Sequence, residues 1–167
     1  MEQKLEVWQR GPVPEIQPLL QPVAHALLQA REEITAYMKD YPVEKLWVRP
    51  SDMASVGFHL QHLTGVLDRV FTYALAKPLS ALQFQQLAEE GKDATPSYTV
   101  ADLVTRFDKQ VDLALIQLKH TNPDTLSDYR GVGRAGLPST VIGLLVHAAE
   151  HTMRHVGQLM VTAAVTR

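Results

Sequence analysis

Cysteine is absent from this chain of 167 residues. Disulfide bridges, thiolate-bound zinc and a cysteine nucleophile are therefore excluded, and any thiol chemistry needs a thiol supplied as a co-substrate. The chain also lacks an apolar run of the roughly 18 residues that a membrane span requires. Its first residues, MEQKLEVWQRGP, lack the apolar stretch of a secretion signal. We therefore expect no membrane partner and a cytoplasmic location.

An excess of charge of either sign is lacking as well. The chain has 16 Lys and Arg against 18 Asp and Glu, which gives a net charge of -2 with histidine neutral. This balance creates no basic field, so we expect no nucleic-acid partner. The hydrophobic content of 46% and charged content of 20% are typical of a globular protein. The length suits a single domain, residues 1–167, with a sizeable core.

Apolar residues recur at helical spacing in four long segments. Residues 80–97 predict a short helical turn with an exposed connection, and residues 120–139 predict a loop without sustained β alternation. Trp47 is expected to anchor the connection between the first two helices. We therefore predict an all-α fold, a four-helix bundle. The predicted helices run from about Pro14 to Tyr41, from a cap at Ser51–Asp52 to about Ala76, from Val100 to Lys119, and from a cap at Ser139 or Thr140 to about Val165.

Five of the seven histidines lie in two of these helices. The fourth helix carries three at four-residue spacing, and the second helix carries a pair: His147, His151 and His155, with His59 and His62. Imidazoles four residues apart share one side of a helix and can bind one metal ion. A third imidazole from a facing helix would complete three nitrogen ligands and leave a coordination position open. The competing interpretation is a hydrogen-bonded polar seam inside the bundle.

Helical geometry ranks these histidines by how far they face the core. On the fourth helix, His151 and His155 turn further toward the buried side than His147. On the second helix, His59 lies nearer the centre of the buried face and His62 lies on its flank. Periodicity alone therefore slightly favours His59 as the third ligand. The isolated His25 and His120 are interpreted as structural or solvated groups.

Other motifs for known chemistry are absent. Glu150 directly precedes His151, so the order of residues excludes the H-E-x-x-H motif of zinc proteases. The stretch GVGRAG at residues 131–136 follows no strand and lacks G-K-[ST], so we interpret it as a flexible loop and not as a phosphate-binding loop. The E-x-x-H pairs typical of di-iron bundles are missing too.

Two stretches of the chain resemble the DinB/YfiT-like superfamily of metalloenzymes. They are VGFHLQHLTGVLDRVFTYA, at residues 56–74, and HAAEHTMRHVGQL, at residues 147–159. The H-x3-H-x-G-Q ending of the second stretch is the more specific of the two. The resemblance implies a four-helix bundle, commonly a homodimer, with a divalent metal ion held by one histidine of the second helix and two of the fourth.

The resemblance also implies which histidines are the ligands. In the family register, the ligand on the second helix is followed by an aliphatic and then a small residue, as in His62-Leu63-Thr64. The resemblance therefore selects His62, against the mild preference of periodicity for His59. His151 and His155 match the pair on the fourth helix, and His147 is left to line the pocket or to act as an outer hydrogen-bond donor.

Family members with known activity imply a function that depends on a small thiol. We expect a metal-dependent enzyme that acts on a small-molecule substrate, either a transferase that uses a low-molecular-weight thiol or a hydrolase that uses water, with zinc or nickel as the ion. Three neutral imidazoles leave the positive charge of the ion in place, so a thiol or water bound to it loses its proton near neutral pH. One alternative is a non-enzymatic, metal-stabilised stress-response or interaction dimer. Another is a bundle that binds a small molecule without a metal.

Overall fold

The structure is a computed structural model that describes residues 5–167. Over this range the chain forms five α-helices and one β-hairpin, and none of these helices has both the length and the apolar character needed to cross a bilayer. The elements in chain order are α1 (Gln21–Tyr37), α2 (Val56–Ala74), α3 (Ala81–Glu89), α4 (Val100–His120), β1 (Tyr129–Val132), β2 (Leu137–Thr140) and α5 (Val141–Thr166).

The four long helices α1, α2, α4 and α5 pack as a bundle around one hydrophobic core. Helix α2 contacts α4 and α5, and helix α1 contacts the same two helices. Each helix contributes fully buried side chains, including Leu27, Leu60, Phe107 and Leu145. Burial of one such side chain contributes about 1.5–3 kcal/mol, so the apolar faces hold the bundle together. The predicted four-helix bundle is confirmed.

The predicted start of α2 was wrong. Ser51 and Asp52 lie in a short 3-10 turn and have left-handed φ angles of 48° and 60°. The helix begins after Ser55, whose Oγ accepts a hydrogen bond of 3.1 Å from the backbone N–H of Phe58. Serine is a favoured N-cap residue at either position. The left-handed backbone at residues 51 and 52 delays the helix by four residues relative to the prediction.

Trp47 anchors the connection between α1 and α2, as predicted. Its side chain is partly buried and packs against the core. The indole lies directly over Gly57, where an added Cβ would come within 2.5 Å of a ring carbon. The backbone N–H of Gly57 also donates a hydrogen bond of 2.7 Å to the carbonyl of Leu46. This glycine therefore lets the connection lie close against the first turn of α2.

Helix α3 is longer than the short turn predicted for its segment. Its first turn has a capping box, in which Ser80 Oγ accepts from the N–H of Gln83 and the Gln83 side chain accepts from the N–H of Ser80. The amide nitrogen of Gln83 also donates hydrogen bonds of 2.8 Å to Asp68 Oδ2 and Thr72 Oγ1 on α2. Polar contacts therefore dock this end of α3 on α2. Three large apolar side chains of α3 remain exposed: Leu82, Phe84 and Leu87.

The segment predicted as a loop before α5 contains a β-hairpin. Strands β1 and β2 pair antiparallel, with Tyr129 opposite Thr140 and Val132 opposite Leu137. Two glycines with positive φ, Gly133 and Gly136, form the turn. Each strand has only four residues, which is too short for the alternation of apolar and polar residues to stand out in the sequence. The GVGRAG stretch is the end of β1 and the hairpin turn.

Candidate metal centre

Helices α2 and α5 bring three histidines together, because they are neighbours in the bundle. One ring nitrogen from each of His62, His151 and His155 lies within 4.8 Å of the other two. The ring centroid of His155 is 4.4 Å from that of His62 and 4.6 Å from that of His151. His151 and His155 are one helical turn apart, and His62 reaches them from the flank of α2. The structure therefore places the three sequence-predicted ligands side by side.

The spacing and the protonation of these rings fit a divalent ion. Nε2 of His62 lies 3.0 Å from Nε2 of His151. A tetrahedral zinc ion with Zn–N distances of 2.0–2.1 Å would hold two ligand nitrogens about 3.3 Å apart, so this pair of nitrogens needs only a small movement. Burial, together with the nearby His62, lowers the pKa of His155 to about 4, and burial also lowers the pKa of His151. Both imidazoles are therefore neutral at pH 7, which is the form that binds a metal.

A buried carboxylate, Glu90, supports one of the three histidines. Its Oε2 lies 2.7 Å from Nδ1 of His62, and its Oε1 forms an ion pair of 2.7 Å with Nη1 of Arg69. The side chains of Glu90 and Arg69 are 8% and 9% exposed. Burial acts to raise the pKa of Glu90, but the hydrogen bonds from His62 and Arg69 outweigh it, and the net pKa is lowered. Glu90 is therefore a carboxylate that accepts the N–H of His62.

The backbone around the end of α3 is shaped to deliver Glu90 to α2. Gly65 leaves the space that the ion pair occupies, since a Cβ there would lie 2.5 Å from both Arg69 Nη1 and Glu90 Oε1. Gly91 follows with a positive φ of 82°, which turns the chain after α3. The side chain of Gln61 accepts from the N–H of Gly91 at 2.7 Å and donates to the carbonyl of Lys92 at 2.9 Å. The side chain of Gln61 on α2 thus holds the backbone of this turn.

His59 lies behind the three-histidine group. Its side chain is almost fully buried, and its Nδ1 lies 3.1 Å from Nδ1 of His155. One of these two nitrogens must carry the proton that joins them. If His155 donates, its Nε2 keeps a free lone pair. The preference of periodicity for His59 as a ligand therefore reflects its depth in the core, whereas His62 is the histidine of α2 that belongs to the close group of three.

His147 lies at the solvent edge of the group. Half of its side chain is exposed, its Nδ1 is 3.8 Å from Glu150 Oε2, and its ring centroid is 5.3 Å from that of His151. His25 bonds the carbonyl of Gly11 at 3.1 Å, and His120 is exposed at the end of α4. Neither of these two joins the group, in agreement with their interpretation as structural or solvated residues.

The family model for the DinB superfamily matches residues 26–159. The chain belongs to the DinB superfamily. A crystal structure titled as the conserved protein of a locus from Enterococcus faecalis is similar, with 18% sequence identity and a TM-score of 0.71 over 90% of this chain and 98% of the other. At that identity the similarity concerns the fold alone. No curated protein matches the chain significantly.

In this DinB-superfamily protein, a cavity of about 800 Å³ lies beside the histidine group. Residues of the 3-10 turn Pro50–Asp52 and of helices α2 and α5 line this open cavity, and His59 and His155 form part of its wall. Much of the remaining lining is apolar and includes Met53 and Met153. Small-molecule sites in proteins commonly have volumes of about 300–1,000 Å³, so the cavity has room for a small ligand next to the group.

Glu90 is the contributor to this centre that sequence reasoning missed. It lies 28 residues from His62 along the chain, in a segment without a metal-binding pattern. The sequence carried an indirect signal, because Gly65 sits inside a helix at a position one turn before the buried Arg69. A glycine within a helix costs about 1 kcal/mol relative to alanine, so its presence indicates a close contact of some kind. Neither residue indicates which side chain makes that contact.

Proposed function

We propose that this protein binds one divalent metal ion through the imidazoles of His62, His151 and His155 and acts on a small-molecule substrate as a metal-dependent transferase or hydrolase. The observation that carries the proposal is the convergence of three imidazoles from two helices, one of them backed by a buried carboxylate. The competing interpretation, a polar seam without a metal, would join the same rings by hydrogen bonds such as the one between Nε2 of His62 and Nε2 of His151, which are 3.0 Å apart.

The chemistry of the proposal follows from neutral ligands next to an apolar cavity. A divalent ion at this position supplies positive charge and an open coordination position, which lower the pKa of a thiol or a water. The neutral imidazoles of His151 and His155 carry no negative charge that would offset the positive charge of the ion. Glu90 orients His62, and the apolar lining of the cavity offers a surface for an apolar substrate. Because the chain has no cysteine, the proposed thiol is a low-molecular-weight one from solution.

Zinc or nickel is the proposed ion, since both accept imidazole nitrogen as a ligand. Elemental analysis of protein purified without a histidine tag is expected to find about one ion per chain. Alanine at His62, His151 or His155 is expected to lower the bound metal sharply, because each removes one of three ligands. Alanine at the exposed His120 is the matched control and retains the metal. Full metal content in all three ligand variants would overturn the assignment.

Turnover separates the enzymatic proposal from its non-enzymatic alternative. The metal-loaded protein is incubated with a small thiol and an apolar electrophile, and in a second assay with an ester substrate. Product formation that is lost in the His155→Ala variant is expected from a transferase or a hydrolase. Metal binding without turnover, together with thermal stability that falls on chelation, would instead favour a metal-stabilised dimer.

A further inference from the structure

We propose that Glu90 is a positioning residue of the metal centre. Its carboxylate accepts the Nδ1–H of His62 and so keeps the lone pair of His62 Nε2 directed at His151 and His155. The inference rests on the proposed metal-binding function. It adds Glu90, a residue outside the three-histidine group, to the metal centre and explains why its carboxylate oxygens matter.

The two oxygens of Glu90 have different partners, and this fixes which of them faces His62. Oε1 lies 2.7 Å from Arg69 Nη1, and Oε2 lies 2.7 Å from His62 Nδ1. A guanidinium only donates hydrogen bonds, so the group facing Arg69 must accept. A carboxylate accepts on both sides. The imidazole of His62 is therefore held as the tautomer that has its proton on Nδ1 and its lone pair on Nε2.

Replacing Glu90 with glutamine tests whether His62 needs an oxygen acceptor opposite its Nδ1. The amide of Glu90→Gln has nearly the shape of the carboxylate, but only one of its two ends accepts a hydrogen bond. Its carbonyl is expected to face Arg69, which leaves the NH₂ group against Nδ1 of His62. That pairing favours the other tautomer, with the proton on Nε2, where it blocks metal binding. Loss of such an outer partner typically lowers metal affinity about 10–100-fold.

The surroundings of Glu90 suit a buried carboxylate, so its contact with His62 is not an incidental contact at the surface. Glu90 and Arg69 are buried, and a glycine on α2 leaves the room in which their charged groups meet. The side chain of Gln61 holds the two residues after Glu90 by their backbone groups. Burial of an ion pair costs desolvation energy, and good geometry with further hydrogen bonds is needed to offset it. The hydrogen bond of 2.7 Å between Glu90 Oε2 and Nδ1 of His62 is one such further bond.

The test compares zinc affinity and the His62 tautomer in three variants. Affinity is measured by competition with a chromophoric chelator, and the tautomer is read from ¹⁵N NMR shifts of the imidazole in metal-free protein. Glu90→Gln is expected to lower zinc affinity 10–100-fold and to move the His62 proton from Nδ1 to Nε2. Glu89→Gln is the matched control, because Glu89 is the exposed neighbour, and it is expected to match the wild type.

The double variant Arg69→Met, Glu90→Gln distinguishes positioning from a general loss of structure. Without Arg69 the amide is free to turn its carbonyl toward His62, so affinity is expected to recover partly and the Nδ1–H tautomer to return. Wild-type affinity and an unchanged tautomer in Glu90→Gln would overturn the inference while leaving the metal centre intact. A wild-type protein that takes up no zinc would overturn the proposed function, and the tautomer in the metal-free protein would still decide the role of Glu90.

Discussion

Acid is expected to destabilise the metal-free protein through the buried His59. Burial first, and then the neighbouring His62, lower the pKa of His59 from 6.5 to about 4. The unfolded chain takes up a proton on this imidazole below pH 6.5, whereas the folded chain resists it until about pH 4. The folded state therefore binds fewer protons in this window, and its stability falls as the pH falls. The stabilising contribution is complete above pH 6.5 and is lost between pH 6.5 and 4.

The size of this effect follows from the difference between the two pKa values. One pKa unit corresponds to roughly 1.4 kcal/mol, so the shift of His59 amounts to about 3 kcal/mol of unfolding free energy at most. The side chain of His59 is only 3% exposed, so solvent does not screen the penalty for its cation. A loss of this size is a large part of the 5–15 kcal/mol that stabilises a typical domain. The pKa of His155 is lowered in the same direction, also to about 4.

Urea unfolding followed by circular dichroism, in a chelating buffer between pH 7.5 and 4.5, measures the prediction. Carboxylates titrate near the lower end of this range, so wild type is compared with His59→Gln, which lacks the titrating group but keeps a polar partner for His155. The variant is expected to lose less stability than wild type over the range, by about 2–3 kcal/mol. His120→Gln, at an exposed position outside the cluster, serves as the control. Equal losses in wild type and His59→Gln would refute the reasoning.

Three further predictions concern the close contacts of α2 and the metal. Gly57→Ala is expected to destabilise the protein by about 1–3 kcal/mol in urea unfolding, because its methyl group meets the Trp47 ring, whereas Gly157→Ala, in open space on α5, is expected to stabilise it by about 0.5–1 kcal/mol. Equal effects of the two alanines would contradict this. Ser55→Ala is expected to cost about 1 kcal/mol through loss of the α2 N-cap, and an unchanged urea midpoint would exclude that role for its hydroxyl. Zinc is expected to raise the thermal unfolding midpoint of wild type but not of His151→Ala; a similar rise in both would show binding elsewhere.

The four-helix bundle could be predicted because its long helices repeat their apolar residues over many turns. On α2, Leu60, Leu63 and Leu67 follow this helical spacing, and all three are fully buried. The start of α2 was harder to predict, because two nearby serines both satisfy the preference for serine at a helix N-cap. Ser51 and Ser55 are both suitable N-caps, and only the backbone conformation of the folded chain distinguishes them. The hairpin was missed because strands of four residues are too short to show a clear alternation of apolar and polar residues.

The candidate site was predictable only where its residues follow a helical repeat. His151 and His155 share a helix and a spacing, so their proximity could be inferred from the sequence. The choice between His59 and His62 could not be made by burial, because both side chains contact histidines of α5 and the more deeply buried one is not the one in the close group of three. Whether His62 binds a metal stays a prediction. Glu90 approaches from another segment, and its contact depends on a turn after α3 that no periodicity describes.

The way in which α3 is attached affects how the centre responds to heat or denaturant. Side-chain amides of Gln83 at one end and Gln61 at the other hold this segment, while its large apolar side chains point to solvent. Release of α3 would break the ion pair of Glu90 with Arg69 but would expose little apolar core, so we expect this segment to open locally before the bundle melts. Such an opening would remove the carboxylate from His62 and leave the bundle folded. Loss of function on warming would then precede loss of helical signal.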